Sequence, residues 1–257
     1  MPPITKETFT WFSKDPEWKN KFLIGSLMFL AGYIVPIIGW LGMFVALGYS
    51  LAIWRAQLRG ETPVLSQWDK YEINFLDGLK ATLASFLYYL PPFVASAAAF
   101  LFLFSGIAFA VFTTSGLDRA ASIAAWTPLL TGYLGFFVTF LLAGILSLIA
   151  AIPCAIAVGQ YVRTGKISAG YRFGEIRRIF RANASGFIGA LVALWGVGIG
   201  LSIVIFLLYF TVILCLLNQF VVAPVLFYQT VMWTYLFGSA YREGCVKAGI
   251  VLDTPAK

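Results

Sequence analysis

Four long apolar blocks alternate with short polar stretches along the chain. The blocks cover Phe22–Trp54, Leu79–Leu117, Ala120–Val162 and Ala184–Tyr241. Each is longer than the roughly 20 residues that an α-helix needs to cross a ~30 Å hydrocarbon layer. The strict alternation of polar and apolar residues that is typical of transmembrane β-strands does not occur within them. The pattern predicts an all-α protein, a polytopic transmembrane helix bundle.

Local signals divide the first block. Asp15 followed by proline is typical of a helix start, and a helix over residues 16–34 would just span the bilayer. Pro36 and Gly39 then interrupt the helical pattern, and a second helix is expected to end at Arg59. Two structures fit these signals, a hairpin of two helices and a single kinked helix.

The basic residues around this block favour the hairpin. Lys19 and Lys21 open the block, and Arg55 and Arg59 close it. Lysine and arginine accumulate in the cytoplasmic flanks of membrane helices, so both ends of the block are expected inside the cell.

The same rule orients the rest of the chain. The stretch 163–183 holds six of the 18 basic residues and is expected inside, whereas the turn at 117–121 is expected outside. The last block must contain two helices to return the tail to the inside, with the outer turn at or just before Asn218 and Gln219. This gives about six spans with both termini in the cytoplasm, and 17 of the 18 basic residues inside.

Two inner loops resemble each other. Gly60 and Gly165 each follow a span that ends near an arginine, and an amphipathic stretch follows each glycine. Residues 68–80 and 170–182 are therefore predicted to form helices on the inner membrane surface. The offset of 105 residues is consistent with two three-span halves of the same orientation, and unrelated loops are the alternative. The chain divides on this basis into a cytoplasmic segment 1–21, a first half 22–119, a second half 120–242 and a cytoplasmic tail 243–257 of one integral membrane domain.

The charged residues of the two inner loops are the candidate functional residues. Basic residues beside a membrane gain about 1 kcal/mol each from anionic lipids, so the arginines predict docking of anionic lipid or of a protein partner. The alternative for the arginines is an orientation signal alone. The acidic residues fit a solvated helix face or ion pairs with the other loop. The residues concerned are Arg172, Arg177, Arg178 and Arg181, with Asp69, Glu72 and Asp77.

Pairs of small residues four positions apart let membrane helices approach closely. Gly196 and Gly200 form such a pair, as do Ala95 with Ala99 and Gly42 with Ala46. We expect helix packing at Gly196 and Gly200, either within the chain, which is the interpretation we favour, or between two copies of it.

The composition argues against an enzyme. The chain has no histidine, which removes the commonest general base and metal ligand. The three cysteines have no paired spacing that would indicate a metal site or a disulfide framework. We therefore expect no catalytic residue, no metal ligand, no cofactor and no nucleic-acid partner. Only 11% of the residues are charged and 60% are hydrophobic, against about 25% charged in soluble domains.

Short motifs lie near the polar ends of the apolar blocks. In the first half they are Asp15-Pro-Glu-Trp18, Pro36-Ile-Ile-Gly39, Gly48-Tyr49, Arg55, Gly60, Trp68-Asp69, Phe75-Leu-Asp-Gly-Leu-Lys80 and Tyr89-Leu-Pro91. In the second half they are Gln160-Tyr161, Thr164-Gly165, Phe173-Gly-Glu-Ile176, Arg181-Ala-Asn183 and Gly238-Ser-Ala-Tyr-Arg242. Over about residues 15–243 the chain resembles a prokaryotic membrane-protein family catalogued as domain of unknown function 4013. The resemblance implies a bacterial or archaeal plasma membrane and no particular activity.

Two functions fit these expectations. The first is a non-enzymatic structural, scaffolding or accessory membrane subunit with lipid-binding grooves, as a homo-oligomer or with a protein partner. The second is a facilitator or exporter of an apolar or lipid-like solute, which prolines that break helices would favour. The prolines concerned are Pro36, Pro91, Pro92, Pro128, Pro153 and Pro224.

Overall fold

The computed structural model describes residues 5–34, 36–114, 121–209 and 212–252. These residues form helices and short connections, with no β-strand among them, which confirms the predicted all-α class. The α-helices are α1 (Lys6–Thr10), α2 (Trp18–Ile34), α3 (Pro36–Arg59), α4 (Tyr71–Thr114), α5 (Ala121–Thr164), α6 (Phe173–Ala182), α7 (Ala184–Tyr209) and α8 (Val212–Lys247). Two short 3-10 helices cover Trp11–Lys14 and Ile167–Tyr171.

Helices α2 and α3 form a hairpin. Helix α3 passes so close to α2 that a Cβ atom added to Gly42 would lie 2.7 Å from the carbonyl oxygen of Met28. The two residues lie at equal distances on either side of position 35, as an antiparallel pair requires. The hairpin that the basic flanks favour is therefore correct, and the single kinked helix is not.

Helices α4 and α5 are each 44 residues long. At 1.5 Å per residue each measures about 66 Å, about twice the thickness of a hydrocarbon layer. Prolines lie inside both helices without ending either one. Neighbouring groups can satisfy the backbone carbonyl that a proline leaves unpaired. The expectation that these prolines break the spans is wrong.

The two predicted surface helices differ in outcome. Residues 71–80 are helical, but they are the beginning of the continuous helix α4 and not a separate element. Residues 173–182 form the separate helix α6, with Ile176 and Ile179 buried. The position of either stretch along a membrane surface stays a prediction.

Among the described residues, five helices are long and apolar enough to cross a membrane. The qualifying stretches are Leu41–Arg59, Tyr71–Phe112, Trp126–Thr164, Ala184–Leu207 and Asn218–Lys247. Helix α2, with 17 residues, is shorter than the ~20 that a span needs, so the predicted count of six is approximate. These stretches support a multi-pass membrane protein.

The outer turn predicted near Asn218 is misplaced. Asn218 and Gln219 lie inside α8, because helix α7 ends at Tyr209 and α8 begins at Val212. The apolar residues that precede Asn218 continue the helix, and Asn218 itself is buried. The other predicted outer turn, at 117–121, lies almost entirely outside the described residues.

The chain forms two compact units. Unit 1 combines Met1–Ser85 with Ala155–Lys257, and unit 2 is Phe86–Cys154. This division differs from the two sequence halves 22–119 and 120–242, which stay a prediction.

Helix α8 is central to unit 1, where it packs against α2, α3, α6 and α7. Phe227 of α8 is fully buried, and its ring lies 5.2 Å from that of Phe22 and 6.2 Å from that of Tyr49. The N-terminal segment joins this core through Trp11, whose ring stacks on Tyr235 at 4.9 Å. Aromatic packing thus holds the N-terminal segment against α8.

Unit 2 is an antiparallel pair formed by parts of α4 and α5. A Cβ atom added to Gly106 would lie 2.8 Å from the Cα of Gly132, and the reverse distance is 2.7 Å. Ala95 and Ala99 of α4 are also buried. Small residues therefore let the two helices touch backbone to backbone, as small-residue pairs do in membrane helix packing.

Candidate functional site

The polar residues of unit 1 collect around the last turns of α3, α5 and α8 together with α6, a region that we call the polar end. Each of the three helices stops at a glycine with left-handed backbone, Gly60 (φ 79°), Gly165 (φ 69°) and Gly249 (φ 66°). After α3 the N–H of Glu61 donates to the Ala56 carbonyl at 2.9 Å, which is the bond of a Schellman cap. Only glycine adopts this backbone without a Cβ penalty, so these residues define the ends of the helices.

The polar end contains a buried ion pair between α3 and α4. Arg55 donates to the Asp77 carboxylate at 2.6 Å, and the hydroxyl of Tyr161 donates to the other carboxylate oxygen at 3.0 Å. The Asp77 side chain is 3% exposed and that of Arg55 is 19% exposed. A buried carboxylate needs this compensation, because removal of one partner of a buried pair leaves an uncompensated charge.

A second arginine–carboxylate pair closes the other loop. Arg163, at the end of α5, forms an ion pair with Glu175 in the first turn of α6. Arg172 lies 3.7 Å from the same carboxylate. Each of these two loops is therefore closed by an arginine from the preceding helix and an acidic residue from the following one.

Asn183 joins α6 to α8. Its amide nitrogen donates to the Ala240 carbonyl at 2.9 Å, and its amide oxygen accepts a hydrogen bond from Lys247 at 3.1 Å. Lys247 also pairs with Glu243 at 2.8 Å. Asn183 lies between α6 and α7 and is 2% exposed. Its bonds therefore hold this connection against α8.

A separate buried pair holds the start of α2. Lys21 donates to the Asp15 carboxylate at 2.7 Å and to the Leu65 carbonyl at 3.0 Å, and Trp68 donates to the Lys21 carbonyl at 2.8 Å. Burial alone would raise the pKa of Asp15, but the hydrogen bonds from Lys21 and from the Glu17 N–H hold it below its ordinary value. Asp15 thus stabilises the turn that leads into α2, but the helix begins at Trp18, so the predicted start at Pro16 with Asp15 as the N-cap is two residues early.

The three acidic candidates do not form one cluster. Asp69 and Glu72 are exposed, and no ion pair joins either one to another residue of the described ranges. Asp77 is buried and pairs with Arg55 and not with the arginines of the other loop. The first two fit the solvated face, and Asp77 has a structural partner that the sequence did not indicate.

The four arginine candidates lie on or beside α6 and are all exposed. Arg178 donates to the Ala248 carbonyl, so it ties α6 to the end of α8. Arg177 and Arg181 make no hydrogen bond or ion pair within the described part of the chain. These two guanidinium groups are therefore available to a ligand.

Gly196 and Gly200 lie on the side of α7 that faces away from the other described helices. Both are exposed, and a Cβ atom added to either would meet no described atom within 4 Å. The packing within the chain that we favoured is therefore not what the described residues show. Contact with a second copy stays a prediction.

Sequence reasoning overlooked two buried amides, Gln57 of α3 and Gln160 of α5. Gln57 is 7% exposed and Gln160 is 0% exposed. A glutamine near a helix end carries no sequence signal that separates a buried amide from a solvated one.

Comparisons with known proteins give a family but no activity. A search of curated proteins finds no match to the chain, and a search of solved structures finds none either. A family model described as a protein of unknown function (DUF4013) matches residues 29–210, which is more than half of the chain. The chain belongs to the DUF4013 family.

Proposed function

We propose that the protein is a non-enzymatic accessory membrane subunit that binds anionic lipid headgroups through the outer face of α6. The observation that carries this proposal is the pair Arg177 and Arg181, exposed and without a protein partner in the described ranges. They are four residues apart, so both guanidinium groups lie on the same side of the helix.

The opposite side of α6 is fixed to the protein. Ile176 and Ile179 are buried, and the Ile179 side chain lies against Gly244 of α8. A helix held on one side and basic on the other presents its charges at a fixed position. Little conformational entropy is then lost when a phosphate group binds, because the helix is already ordered.

The charge supports lipid as the ligand. Arginine binds phosphate oxygens with a planar fork of donors, and each basic residue near an anionic surface gains about 1 kcal/mol. On this basis Arg177 and Arg181 together contribute about 2 kcal/mol, which is about 30-fold in affinity. Arg172 at the start of α6, whose side chain is 57% exposed, can add to this face.

A lipid titration tests the proposal. Purified protein in detergent is titrated with phosphatidylglycerol or phosphatidylcholine, and bound lipid is counted by native mass spectrometry. We expect preferential binding of phosphatidylglycerol, which Arg177→Glu with Arg181→Glu reduces by more than tenfold at low salt and by less at high salt.

The matched control is Lys70→Glu with Lys80→Glu, which changes the net charge equally at two other exposed positions. Equal loss in the two variants would mean that net charge and not the α6 face attracts the lipid. Unchanged lipid binding together with loss of a co-purifying protein would instead assign the face to a protein partner.

A facilitator of an apolar solute remains the second hypothesis, with less support. Its main argument was a set of proline breaks, but Pro91, Pro92, Pro128, Pro153 and Pro224 lie inside continuous helices. Flux of an apolar solute across the membrane of vesicles that contain the purified protein would support this second hypothesis.

A further inference from the structure

Among the buried side-chain polar atoms of unit 1 that have no hydrogen-bond partner within the described residues, four belong to three side chains of α3 and α5. They are the indole nitrogen of Trp54, the amide oxygen of Gln57 and both amide atoms of Gln160. Trp54 and Gln160 are 0% exposed, and Gln57 is 7% exposed. Buried polar atoms are nearly always hydrogen-bonded, so four such atoms in one region call for a ligand.

Two of these groups meet at one residue of α8. A Cβ atom added to Gly238 would lie 3.2 Å from the Trp54 ring and would collide with the amide oxygen of Gln57. The amide nitrogen of Gln57 is already used, because it donates to the Tyr235 carbonyl at 2.9 Å. The missing side chain of Gly238 leaves room for the Trp54 ring and the Gln57 amide oxygen at the α3–α8 contact.

Gln160 lies on α5, next in the chain to a residue that contacts α8. The preceding residue, Gly159, lies directly against the ring of Tyr241, and that ring is 6.0 Å from the ring of Trp54. The following residue, Tyr161, bonds Asp77 on α4. Successive residues of an α-helix point in directions that are 100° apart. Gln160 therefore points between the direction of Gly159, which faces Tyr241, and that of Tyr161, which faces Asp77.

The chemistry of the unpartnered atoms selects the ligand. The Trp54 indole and the Gln160 amide nitrogen donate hydrogen bonds, whereas the two amide oxygens accept them. A neutral molecule that both donates and accepts satisfies all four atoms, and an ion of either sign satisfies only half of them. Water is the smallest molecule that does so, and buried water normally makes two to four such bonds.

We propose that Trp54, Gln57 and Gln160 line a buried hydration site at the junction of α3, α5 and α8. The site lies near the polar end, because Gln57 is two residues before the end of α3 and Gln160 is four residues before the end of α5. Water at this site bridges the three helices and adds to the direct bond from the Gln57 amide nitrogen to the Tyr235 carbonyl, which joins α3 to α8. This inference is independent of lipid binding at α6.

Fluorine NMR tests the site in the intact protein. The chain is labelled with 7-fluorotryptophan, whose fluorine lies next to the indole N–H, and the resonances of Trp54 and Trp68 are assigned by Trp54→Phe and Trp68→Phe. Trp68 is the internal control, because it is buried and its indole nitrogen is bonded to the Lys21 carbonyl. We expect an H2O-to-D2O shift for Trp54 and none for Trp68. The absence of a shift for Trp54 would overturn the proposal.

A second measurement uses Gln160→Leu. If water satisfies the amide, this substitution removes hydrogen bonds and lowers the midpoint of thermal unfolding. If no water is bound to the amide, an apolar residue of similar size raises the midpoint of thermal unfolding. That result would also overturn the proposal. Should the variant fail to fold, the fluorine measurement on the unaltered chain decides the question.

Discussion

Gly48 and Gly78 bring helices α3 and α4 into direct backbone contact. A Cβ atom on Gly48 would collide with the Asn74 carbonyl oxygen, and one on Gly78 would collide with that of Phe44. The contact is reciprocal, since the backbone of each helix lies directly against the glycine of the other helix. Both residues belong to motifs by which the sequence resembles its family, so a packing role accounts for them without any catalytic one.

The first prediction concerns this crossing. Gly48→Ala or Gly78→Ala forces the helices apart, and overpacking of this kind costs about 1–3 kcal/mol. The midpoint of thermal unfolding in detergent should fall by about 2–4 °C for each kcal/mol. Gly196→Ala and Gly200→Ala are the controls, because a Cβ there meets nothing described within 4 Å. An unchanged midpoint in the Gly48 variant would contradict the close crossing.

The second prediction concerns the pair between Arg55 and Asp77. Asp77→Asn leaves a largely buried guanidinium without its carboxylate, which should cost about 3 kcal/mol. The double replacement Arg55→Met with Asp77→Leu should recover most of this loss, because it leaves no unpaired charge. Unfolding midpoints of the unaltered chain, Asp77→Asn and the double variant measure the loss and its recovery. Glu72→Gln, at an exposed position of the same helix, should change nothing measurable.

The third prediction concerns pH. The pKa of Asp15 lies below its ordinary value of 3.8 in the folded chain, so the unfolded chain binds the proton more tightly. The Asp15–Lys21 pair therefore contributes its full stability above about pH 3.8, and this contribution is lost as pH falls through the lower folded pKa. Asp15→Asn should cost about 1.5–3 kcal/mol near neutral pH and progressively less below about pH 3.8.

The measurement for this pair is the unfolding midpoint of both proteins from about pH 7 down to about pH 2.5. Glu7→Gln is the control, since Glu7 and Lys14 are 3.9 Å apart and largely exposed. A difference between Asp15→Asn and the unaltered chain that stays constant over this range would refute the assignment.

The fourth prediction concerns topology. In a cysteine-free background, a cysteine at Ser122 should react with an impermeant thiol reagent from outside intact cells, and one at Ser168 should not. Ser168 is exposed beside the polar end, so burial does not protect it. Labelling of both positions after permeabilisation is the control. Labelling of the cysteine introduced at position 168 in intact cells would mean that every helix has the opposite orientation.

Local signals were sufficient for much of the fold. Asp15 and Pro16 predict the start of α2 to within two residues, and the bounds of α3 follow from a proline and a glycine, all of which act within a few residues. The basic face of α6 was also visible, because three of its arginines lie within five positions. Such features need no knowledge of what packs against them.

Features that depend on distant contacts were missed. Asp77 finds its partners 22 and 84 positions away, and nothing in the composition of either loop indicates this pairing. The prolines misled for a related reason, since a proline interrupts a helix only where no neighbouring group satisfies the freed carbonyl. The unpartnered amide oxygen of Gln57 and the unpartnered amide of Gln160 became visible only when three helices were placed together.

The two arginine–carboxylate pairs have a consequence for the order of events during biosynthesis. Arg55 is made before Asp77, and Arg163 before Glu175, so each arginine enters the membrane insertion machinery without its partner. Orientation depends on lysine and arginine counts and little on acidic residues, so the later pairing does not weaken that signal. Each arginine can thus act first as an unpaired determinant of orientation and afterwards, once the next segment has been made, as the cation that closes the loop.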